Sequence, residues 1–352
     1  MTYIYISTAC FIAALLVTPL VKILAVKVGA VDLPNPRKIH SIMMPRLGGL
    51  AIYISFMIGM LIMMPVSPYF WPIIIGGTII IITGFLDDMR ELSPKMKLFG
   101  QTMAAAVVMS GGIYVEFINL PFDGILYLGI FGLPLTFLWI IGITNAINLI
   151  DGLDGLAAGV SAIVLTTITI IAIINDNLFI IALGSVLLAS TAGFLFYNFY
   201  PAKIFMGDTG ALFLGFMIAV ISLLGFKTVT LFSLIIPIFI LAVPITDTMF
   251  AIIRRFINKK PLAAADKFHM HHCFLRLGYS HRSSVLMIYG ISAFFALAAV
   301  LLTQSTLWGT LVISLLLLFA IEILAEATGL LHADYRPVLN IINRIKGLKT
   351  TS

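Results

Sequence analysis

Four polar clusters interrupt an otherwise apolar chain, and they carry the carboxylate, amide and imidazole groups that bind phosphates and cations. The first, GFLDDMRELSPKMK, contains Asp87 and Asp88, and the second is TNAINLIDGLDGL over 144–156. The third is FMGDTG around Asp208, and the fourth is HMHH over 269–272. Because an ionisable side chain at membrane depth costs at least about 2.5 kcal/mol, these groups must face water, one another or a ligand. We therefore predict that the four clusters meet on one side of one membrane.

The carboxylates of the first and third clusters are candidates for binding a metal ion. Adjacent acids repel each other unless a cation or a proton lies near them, so Asp87 and Asp88 suit magnesium or a phosphate. The alternative is an ordinary solvated helix end. Asp208 stands between glycines at the start of an apolar segment, where exposed N–H groups and the helix dipole favour an anion. It is therefore either a helix cap or a metal ligand.

The second cluster predicts a strip of amides and carboxylates. Asn145, Asn148 and Asp151 are spaced three apart, which places them on one face of a helix. Asp154 continues that face unless Gly152 breaks the helix. Such a strip binds sugar hydroxyls, a nucleobase or a hydrated metal, and the alternative is a buried polar stripe that only packs helices together. The two Asp-Gly pairs also mark a backbone turn in the headgroup region.

The histidine cluster indicates phosphate binding more than zinc binding. It consists of His269, His271 and His272, and the chain has no HExxH motif and no cysteine pair beside it. The spacing suits an extended loop better than a helical metal site. Imidazoles that are cationic or that donate hydrogen bonds fit a phosphate. The alternative is a polar loop that happens to be rich in histidine.

Basic residues near these clusters could contact phosphates. Lys95 and Lys97 follow the acid pair by about two helical turns, and Arg46 ends the first loop. Cations beside acids are what a site for phosphate and magnesium needs. The alternative for each is the excess of basic residues in cytoplasmic loops. Asp247 is a separate acid inside an apolar segment. A functional role and a purely structural role are equal alternatives for it.

The composition predicts an all-α, polytopic integral membrane protein. Of 352 residues, 61% are hydrophobic and only 10% are charged, against roughly 25% charged in soluble domains. The two cysteines lie far apart in sequence, so no disulfide framework is indicated. Apolar runs of about 20 residues predict spanning helices. We predict about eleven, near 3–25, 48–65, 71–86, 98–114, 125–144, 156–174, 178–197, 209–225, 231–253, 285–302 and 307–324.

The basic residues predict the orientation. With the N-terminus outside, 20 of the 21 Lys and Arg residues fall at or beside loops on one face, and only Lys227 lies opposite. The positive-inside rule places that face in the cytoplasm, together with all four clusters and the C-terminus. It also explains the net charge of +6 without nucleic acid as a partner. No basic residue precedes the first apolar run, which indicates a retained helix and not a signal peptide.

We expect one transmembrane catalytic domain over 1–330 and a basic cytoplasmic tail over 331–352. The tail should lie along the inner leaflet, where anionic lipids attract positive charge. No repeat of fixed period is visible in the sequence, and the clustered acids differ from the midplane sites of a transporter, which is the alternative of a different class.

The ordered motifs DDMRELSPKMK, NAINLIDGLDG, MGDTG and HMHH, with PRKIHSIMMPRLGG near the start, resemble those of the polyprenyl-phosphate N-acetylhexosamine-1-phosphate transferases. The resemblance covers nearly the whole chain. It looks closest to the branch that starts wall teichoic acid and related surface polymers from UDP-N-acetylglucosamine. The family transfers a sugar 1-phosphate from a UDP-sugar to undecaprenyl phosphate at the cytoplasmic face of the plasma membrane and releases UMP, with magnesium or manganese. A homodimer is left open.

The resemblance also implies roles for the residues. Asp87 and Asp88 match the acid pair that activates the lipid phosphate, and Asp208 matches the main magnesium ligand, with Asp88 as a second ligand. The remaining matched positions are expected to bind substrate: Asn145, Asn148, Asp151, Asp154, Lys95, Lys97, His269, His271, His272 and Arg46. Relatives that use UDP-MurNAc-pentapeptide carry three consecutive histidines. Here Met270 interrupts the run, which favours a simpler UDP-HexNAc donor. A CDP-alcohol phosphotransferase is disfavoured because no Ala-Arg pair follows Asp151.

Overall fold

The computed structural model describes residues 2–32, 43–120, 124–226, 235–261, 266, 268–331 and 335–345. Predictions for part of the first loop, for the loop after residue 226 and for the ends of the tail lie outside these residues. They concern the basic residues Arg37, Lys38, Lys227, Lys267, Lys346 and Lys349.

Helices account for nearly all regular structure in the described part of the chain. The first eight are α1 (Thr2–Val28), α2 (Gly48–Met63), α3 (Phe70–Arg90), α4 (Pro94–Ser110), α5 (Gly132–Ile150), α6 (Leu156–Ile174), α7 (Leu178–Asn198) and α8 (Gly207–Phe226). The others are α9 (Ile235–Ile240), α10 (Ala242–Ile257), α11 (Met270–Arg276), α12 (His281–Leu302), α13 (Leu307–Thr328) and α14 (Pro337–Ile345). Two short antiparallel hairpins pair β1 (Val31–Asp32) with β2 (Met44–Pro45) and β3 (Phe117–Leu120) with β4 (Gly124–Tyr127). The prediction of an all-α protein is confirmed apart from these hairpins.

Eight helices in the described residues are long and apolar enough to cross a membrane, namely α1, α3, α5, α6, α7, α8, α12 and α13. Each has 19 residues or more, and a rise of 1.5 Å per residue takes about 20 residues across the roughly 30 Å hydrocarbon core. The chain is therefore a multi-pass membrane protein. The other three predicted spans coincide with the shorter helices α2 and α4 and with the pair α9 and α10. The total of eleven and the orientation stay predictions.

Helix α8 is enclosed by several other helices. Every residue from 209 to 222 is buried, and α8 lies against α2, α3, α5 and α6. Glycines permit the closest approaches at its start: a Cβ on Gly49 would lie 2.0 Å from the Gly210 nitrogen, and one on Gly84 would lie 2.5 Å from Thr209 Cα. The ends of α2 and α3 are therefore held against the first turn of α8.

Helix α14 is fixed to the end of α13 by a buried acid. Both carboxylate oxygens of Glu326 accept backbone N–H groups, from Val338 at 2.8 Å and from Leu339 at 2.7 Å. A carboxylate at this position satisfies N–H groups that have no partner inside the helix. The first part of the tail is thus a short capped helix.

Candidate active site

Three carboxylates converge where α3 ends and α8 begins. Asp87 and Asp88 lie in the last turn of α3, and Asp208 lies in the first turn of α8. One oxygen from each acid lies within 4.8 Å of the others. Carboxylate oxygens at this spacing repel one another, so the cluster needs cations, protons or N–H donors to hold it together.

Asp88 caps helix α8 from a different helix. Its Oδ1 accepts the backbone N–H of Asp208 at 3.0 Å, and its Oδ2 accepts the backbone N–H of Thr209 at 2.9 Å and the Thr209 hydroxyl at 2.6 Å. Gly207 has a φ of +70°, and a Cβ there would lie 2.4 Å from Asp88 Oδ2. The first turn of α8 is therefore satisfied by Asp88. Asp208 does not serve as the cap, and its side chain is available for other contacts.

Asp208 and Asp87 share the ammonium group of Lys97. The Lys97 Nζ lies 2.6 Å from Asp208 Oδ2 and 2.8 Å from Asp87 Oδ2. The other oxygen of Asp208 accepts a hydrogen bond from Asn148 Nδ2 at 3.2 Å, and Asp87 Oδ1 accepts the Leu92 N–H at 2.7 Å. Lys97 thus supplies the positive charge that lets the two carboxylates face each other.

A cavity of about 500 Å³ opens beside this acid cluster. Residues from all four predicted clusters line it, together with Arg46 from the first loop. The lining includes Asp32, Arg46, Asp88, Asn148, Asp151, Gly152, Asp154, Asp208, His271 and His272. The Arg46 guanidinium donates to the backbone carbonyl of Asp88 at 3.0 and 3.2 Å, which holds it at the rim. The four clusters therefore meet at one cavity, and the side of the membrane on which they lie stays a prediction.

The Asp-Gly pairs form a turn and do not continue the helix. Helix α5 ends at Ile150, and Gly155 adopts a φ of +76° before α6 begins. Asp154 Oδ2 accepts the Ala202 N–H at 2.9 Å, and the Asp154 N–H donates to His281 Nε2 at 2.9 Å. Asp154 therefore holds the turn in place, and both Asp151 and Asp154 line the cavity.

Asp151 lies in an unfavourable electrostatic environment. Burial, followed by the charges of Asp208, Asp88 and Asp154, raises the pKa of Asp151 to about 8. Since each of these influences opposes ionisation, the protonated form of the carboxyl is favoured.

The histidine segment covers the turn from the opposite side. A Cβ on Gly152 would lie 2.3 Å from His271 Nε2, so only glycine permits His271 to lie this close. Burial lowers the pKa of His271 to about 3, and the nearby His272, His269 and His281 act in the same direction. Of the two modes predicted for the imidazoles, His271 therefore fits the neutral one, in which the ring donates or accepts a hydrogen bond.

Comparisons with known proteins show which sequences this chain resembles. Glycosyl transferase family 4 matches residues 70–226, from α3 to α8. A Bacillus subtilis relative named "Probable undecaprenyl-phosphate N-acetylglucosaminyl 1-phosphate transferase" is 50% identical over 95% of this chain and 94% of its own. The Mycolicibacterium smegmatis decaprenyl-phosphate N-acetylglucosaminephosphotransferase is 32% identical over 80% and 78% of the two chains. The Borreliella afzelii phospho-N-acetylmuramoyl-pentapeptide-transferase is 30% identical over 84% and 93%.

The chain belongs to the polyprenyl-phosphate N-acetylhexosamine-1-phosphate transferase family. Its predicted site residues fall into three groups. The first group lines the cavity and consists of Arg46, Asp88, Asn148, Asp151, Asp154, Asp208, His271 and His272. The second lies beside Asp208 and consists of Asp87, in the same acid cluster, and Lys97, in an ion pair with it. The third group lies away from both the cavity lining and the acid cluster, and it consists of Asn145, Lys95 and His269.

Each of these three residues has another location. Asn145 exchanges hydrogen bonds with Gln101 of α4 at 2.8 and 3.3 Å, which is the helix-packing alternative considered for the polar stripe. Lys95 lies at an apolar groove between α3 and α4. His269 binds Asp247 of α10, with 2.8 Å between Nδ1 and Oδ2.

Two residues that hold the site were not predicted from the sequence. Thr209 binds Asp88, and its position directly after Asp208 was the available signal. His281 accepts the Asp154 N–H from the start of α12. No local pattern marks His281, because its partner lies 127 residues away.

The donor set of the acid cluster suits magnesium or manganese. Asp87, Asp88 and Asp208 offer carboxylate oxygens, the hard ligands that these cations prefer, and neither cysteine belongs to the cluster. Asp88 already receives three hydrogen bonds. Asp208 and Asp87, which share the Lys97 ammonium, are better placed to hold a metal ion.

Proposed function

We propose that this chain transfers N-acetylglucosamine 1-phosphate from UDP-N-acetylglucosamine to undecaprenyl phosphate and releases UMP. The observation that carries the proposal is the single cavity in which the acids, Asn148 and His271 meet. The 50% identity to the Bacillus subtilis relative supports the same donor and acceptor. Another UDP-HexNAc is the alternative donor, and the Borreliella afzelii relative, named for phospho-N-acetylmuramoyl-pentapeptide, keeps a larger donor open. The transporter hypothesis has no support, because the acids of the cavity lie together at helix ends.

The reaction brings a diphosphate and a phosphate together, so charge neutralisation and in-line positioning supply most of the catalysis. Lys97 and Arg46 provide fixed positive charge next to Asp208 and Asp88. Asp208, with Asp87 and Asp88 beside it, would hold Mg²⁺ or Mn²⁺, and the bound ion would supply further neutralisation of the diphosphate. Asn148 orients Asp208 through its amide.

Asp87 is our proposed general base. An oxygen of the lipid phosphate attacks the sugar-bearing phosphorus, the bond from that phosphorus to the bridging oxygen breaks, and UMP leaves with the bridging oxygen. The base removes the last proton of the lipid phosphate, whose second pKa is about 6. Asp88 was the alternative base, but both of its oxygens are engaged by the first turn of α8. Asp87, in contrast, has one oxygen engaged by a backbone N–H, and its Oδ2 faces the Lys97 ammonium at 2.8 Å.

The neutral His271 and the nearby His272 would bind the sugar diphosphate by hydrogen bonds. Asp151 and Asp154 would lie beside the nucleotide. His271 lies directly over Gly152, so donor binding and the turn after α5 are coupled. These roles follow the family resemblance, and the lining of the cavity supports them.

We propose further that the enzyme lies in the plasma membrane with this cavity at the cytoplasmic face. The one-sided distribution of Lys and Arg supports that orientation. UDP-sugars are cytosolic, and the phosphate of the lipid carrier lies at the inner surface. The product would then begin a cell-surface polymer of the teichoic acid kind. We retain eleven spans, one catalytic domain and an inner-leaflet tail as parts of this proposal, and a homodimer is left open.

One assay tests the function. Purified protein is mixed with undecaprenyl phosphate, magnesium and a panel of UDP-sugars, and UMP release is scored. We expect release with UDP-N-acetylglucosamine, loss on chelation, and no turnover in Asp208→Asn although the variant remains folded. Absence of UMP with every donor would refute the transferase activity, and release with a different donor alone would replace the substrate assignment.

A further inference from the structure

Asp247 is a fully buried acid that does not line the cavity. It lies in α10 with 0% of its surface exposed. Its Oδ2 lies 2.8 Å from His269 Nδ1, and its Oδ1 accepts the backbone N–H of Met270 at 2.6 Å. A buried carboxylate is tolerated only when its oxygens are satisfied. Here both are satisfied by the histidine segment, and none of these contacts involves another acid of the site.

Arg254 makes a second attachment between α10 and the same segment. It lies seven residues, or about two helical turns, after Asp247 and therefore on the same face of α10. Its Nε donates to Asp266 Oδ2 at 3.1 Å, its Nη2 contacts the same oxygen, and its Nη1 donates to the Leu330 carbonyl. Its guanidinium also lies 5.8 Å from the centre of the Phe268 ring.

The two attachments lead directly to the histidines at the cavity. The His269 ring is stacked parallel to the His271 ring, with 6.0 Å between their centres, and the His271 and His272 rings lie 4.1 Å apart. The first N–H of α11 is the one that Asp247 accepts. His271 is the second residue of that short helix, so a shift of this anchor displaces the imidazole above Gly152.

We propose that Asp247 and Arg254 are positioning residues, a two-point latch by which α10 sets the location of His271 and His272 over the cavity. They act through the histidine segment and do not touch the reacting atoms. The kinetic part of this inference rests on the proposed function, whereas its structural part does not.

The latch is tested first without the reaction. Hydrogen exchange of the backbone amides in 268–276 is measured in the wild type and in Asp247→Leu, Asp247→Asn and Arg254→Lys. We expect exchange to rise about 10-fold to 100-fold in Asp247→Leu, because two hydrogen bonds to a charged group are lost. Asp247→Asn keeps an acceptor for the Met270 N–H and should show a smaller rise.

Thr248→Val is the matched control. Thr248 lies next to Asp247 on α10, and its hydroxyl has no hydrogen-bond partner among the described residues. The substitution changes shape little, so exchange in 268–276 should stay at the wild-type rate. A rise equal to that of Asp247→Leu would assign the effect to α10 in general and overturn the latch.

The kinetic test uses UMP release. We expect Asp247→Asn and His269→Gln each to lower kcat by about 10-fold or more, and the double variant to fall no further than the worse single, since both remove one contact. Losses that multiply would overturn the proposal, as would normal turnover and normal exchange in Asp247→Leu. If Asp247→Leu does not fold, Asp247→Asn and Arg254→Lys take its place: normal exchange in 268–276 together with normal turnover in these two variants would overturn the proposal. A wild type without UMP release for any donor refutes the proposed function, while the exchange data still decide the latch.

Discussion

Replacing Lys97 by Met tests whether its ammonium holds the acid cluster together. Met keeps an unbranched apolar stem of similar length and removes only the charge and the N–H donors. In the wild type, the Nζ lies 2.8 Å from Asp87 and 2.6 Å from Asp208. After the substitution, the two carboxylates would face each other and Asp88 without a counter-ion. The variant should therefore be less stable than the wild type when divalent cations are chelated.

The magnitude follows from the burial of the three side chains. Their exposures are 28% for Lys97, 9% for Asp87 and 25% for Asp208. Removing one partner of a fully buried ion pair costs about 3–5 kcal/mol. Since these groups retain some contact with solvent, we expect a loss of about 2–4 kcal/mol in the free energy of unfolding. Magnesium should restore much of this loss, because a cation bound between the acids replaces the missing charge.

The assay is thermal unfolding in detergent, with EDTA and with increasing magnesium, for the wild type, Lys97→Met and Lys22→Met. Lys22 is exposed on α1, so its variant controls for the loss of a lysine. We expect Lys97→Met alone to unfold earlier in EDTA and to gain more from magnesium than the wild type. Its turnover should fall about 100-fold or more, because a charge near the transferred phosphate is lost. Equal stability in EDTA, or equal gains from magnesium, would refute this account of the cluster.

Two further predictions concern the turn after α5. Gly152→Ala should lower turnover about 10-fold or more because the added methyl group displaces His271. Gly142→Ala is the control and should leave turnover unchanged, because a Cβ at Gly142 meets nothing within 4 Å. Equal kinetics of the two variants would contradict the contact between Gly152 and His271. Asp151→Asn should stabilise the protein in EDTA at pH 8 by about 1–3 kcal/mol and have almost no effect at pH 4. The sign follows from the pKa of Asp151, which is raised to about 8 in the folded protein. Between about pH 4 and pH 8 the folded protein keeps this proton, whereas the unfolded chain releases it. The stability of the wild type therefore falls as pH rises between these values. Denaturation curves at pH 4, 6 and 8 measure the difference, and a gain that does not depend on pH would refute the assignment.

The membrane architecture and the convergence of the clusters could be predicted because both depend on summed patterns. Runs of apolar residues determine which segments can span a bilayer. The cost of burying charge in lipid determines that the polar clusters at the ends of these helices lie together, away from the lipid. The partners inside the group could not be predicted. Asn145 and Asn148 are three residues apart, yet a rotation of about 60° between them directs one to Gln101 and the other to Asp208.

The assignment of the helix cap shows a second limit. An acid in the first turn of a helix predicts a local cap, and Asp208 has that position. The cap comes instead from Asp88, 120 residues earlier. Close packing of α3 on α8 at Gly84, which a Cβ would prevent, makes this possible. The partner of Asp247 depends in the same way on how α10 meets the histidine segment. Such contacts arise from packing between distant segments, and no local pattern in a single sequence encodes them.

These observations give a physical account of how the site is kept ready for anionic substrates. The carboxylates of the site repel one another, and three features of the folded chain reduce this repulsion. They are the N–H donors on Asp88, the Lys97 ammonium between Asp87 and Asp208, and the raised pKa of Asp151, which favours its protonated form. Only the first belongs to a helix backbone and must stay. If a cation bound between Asp87 and Asp208, Lys97 would be available to a substrate phosphate and Asp151 would ionise more easily. This difference favours Asp208 and Asp87 as the reactive pair and Asp88 as their fixed support.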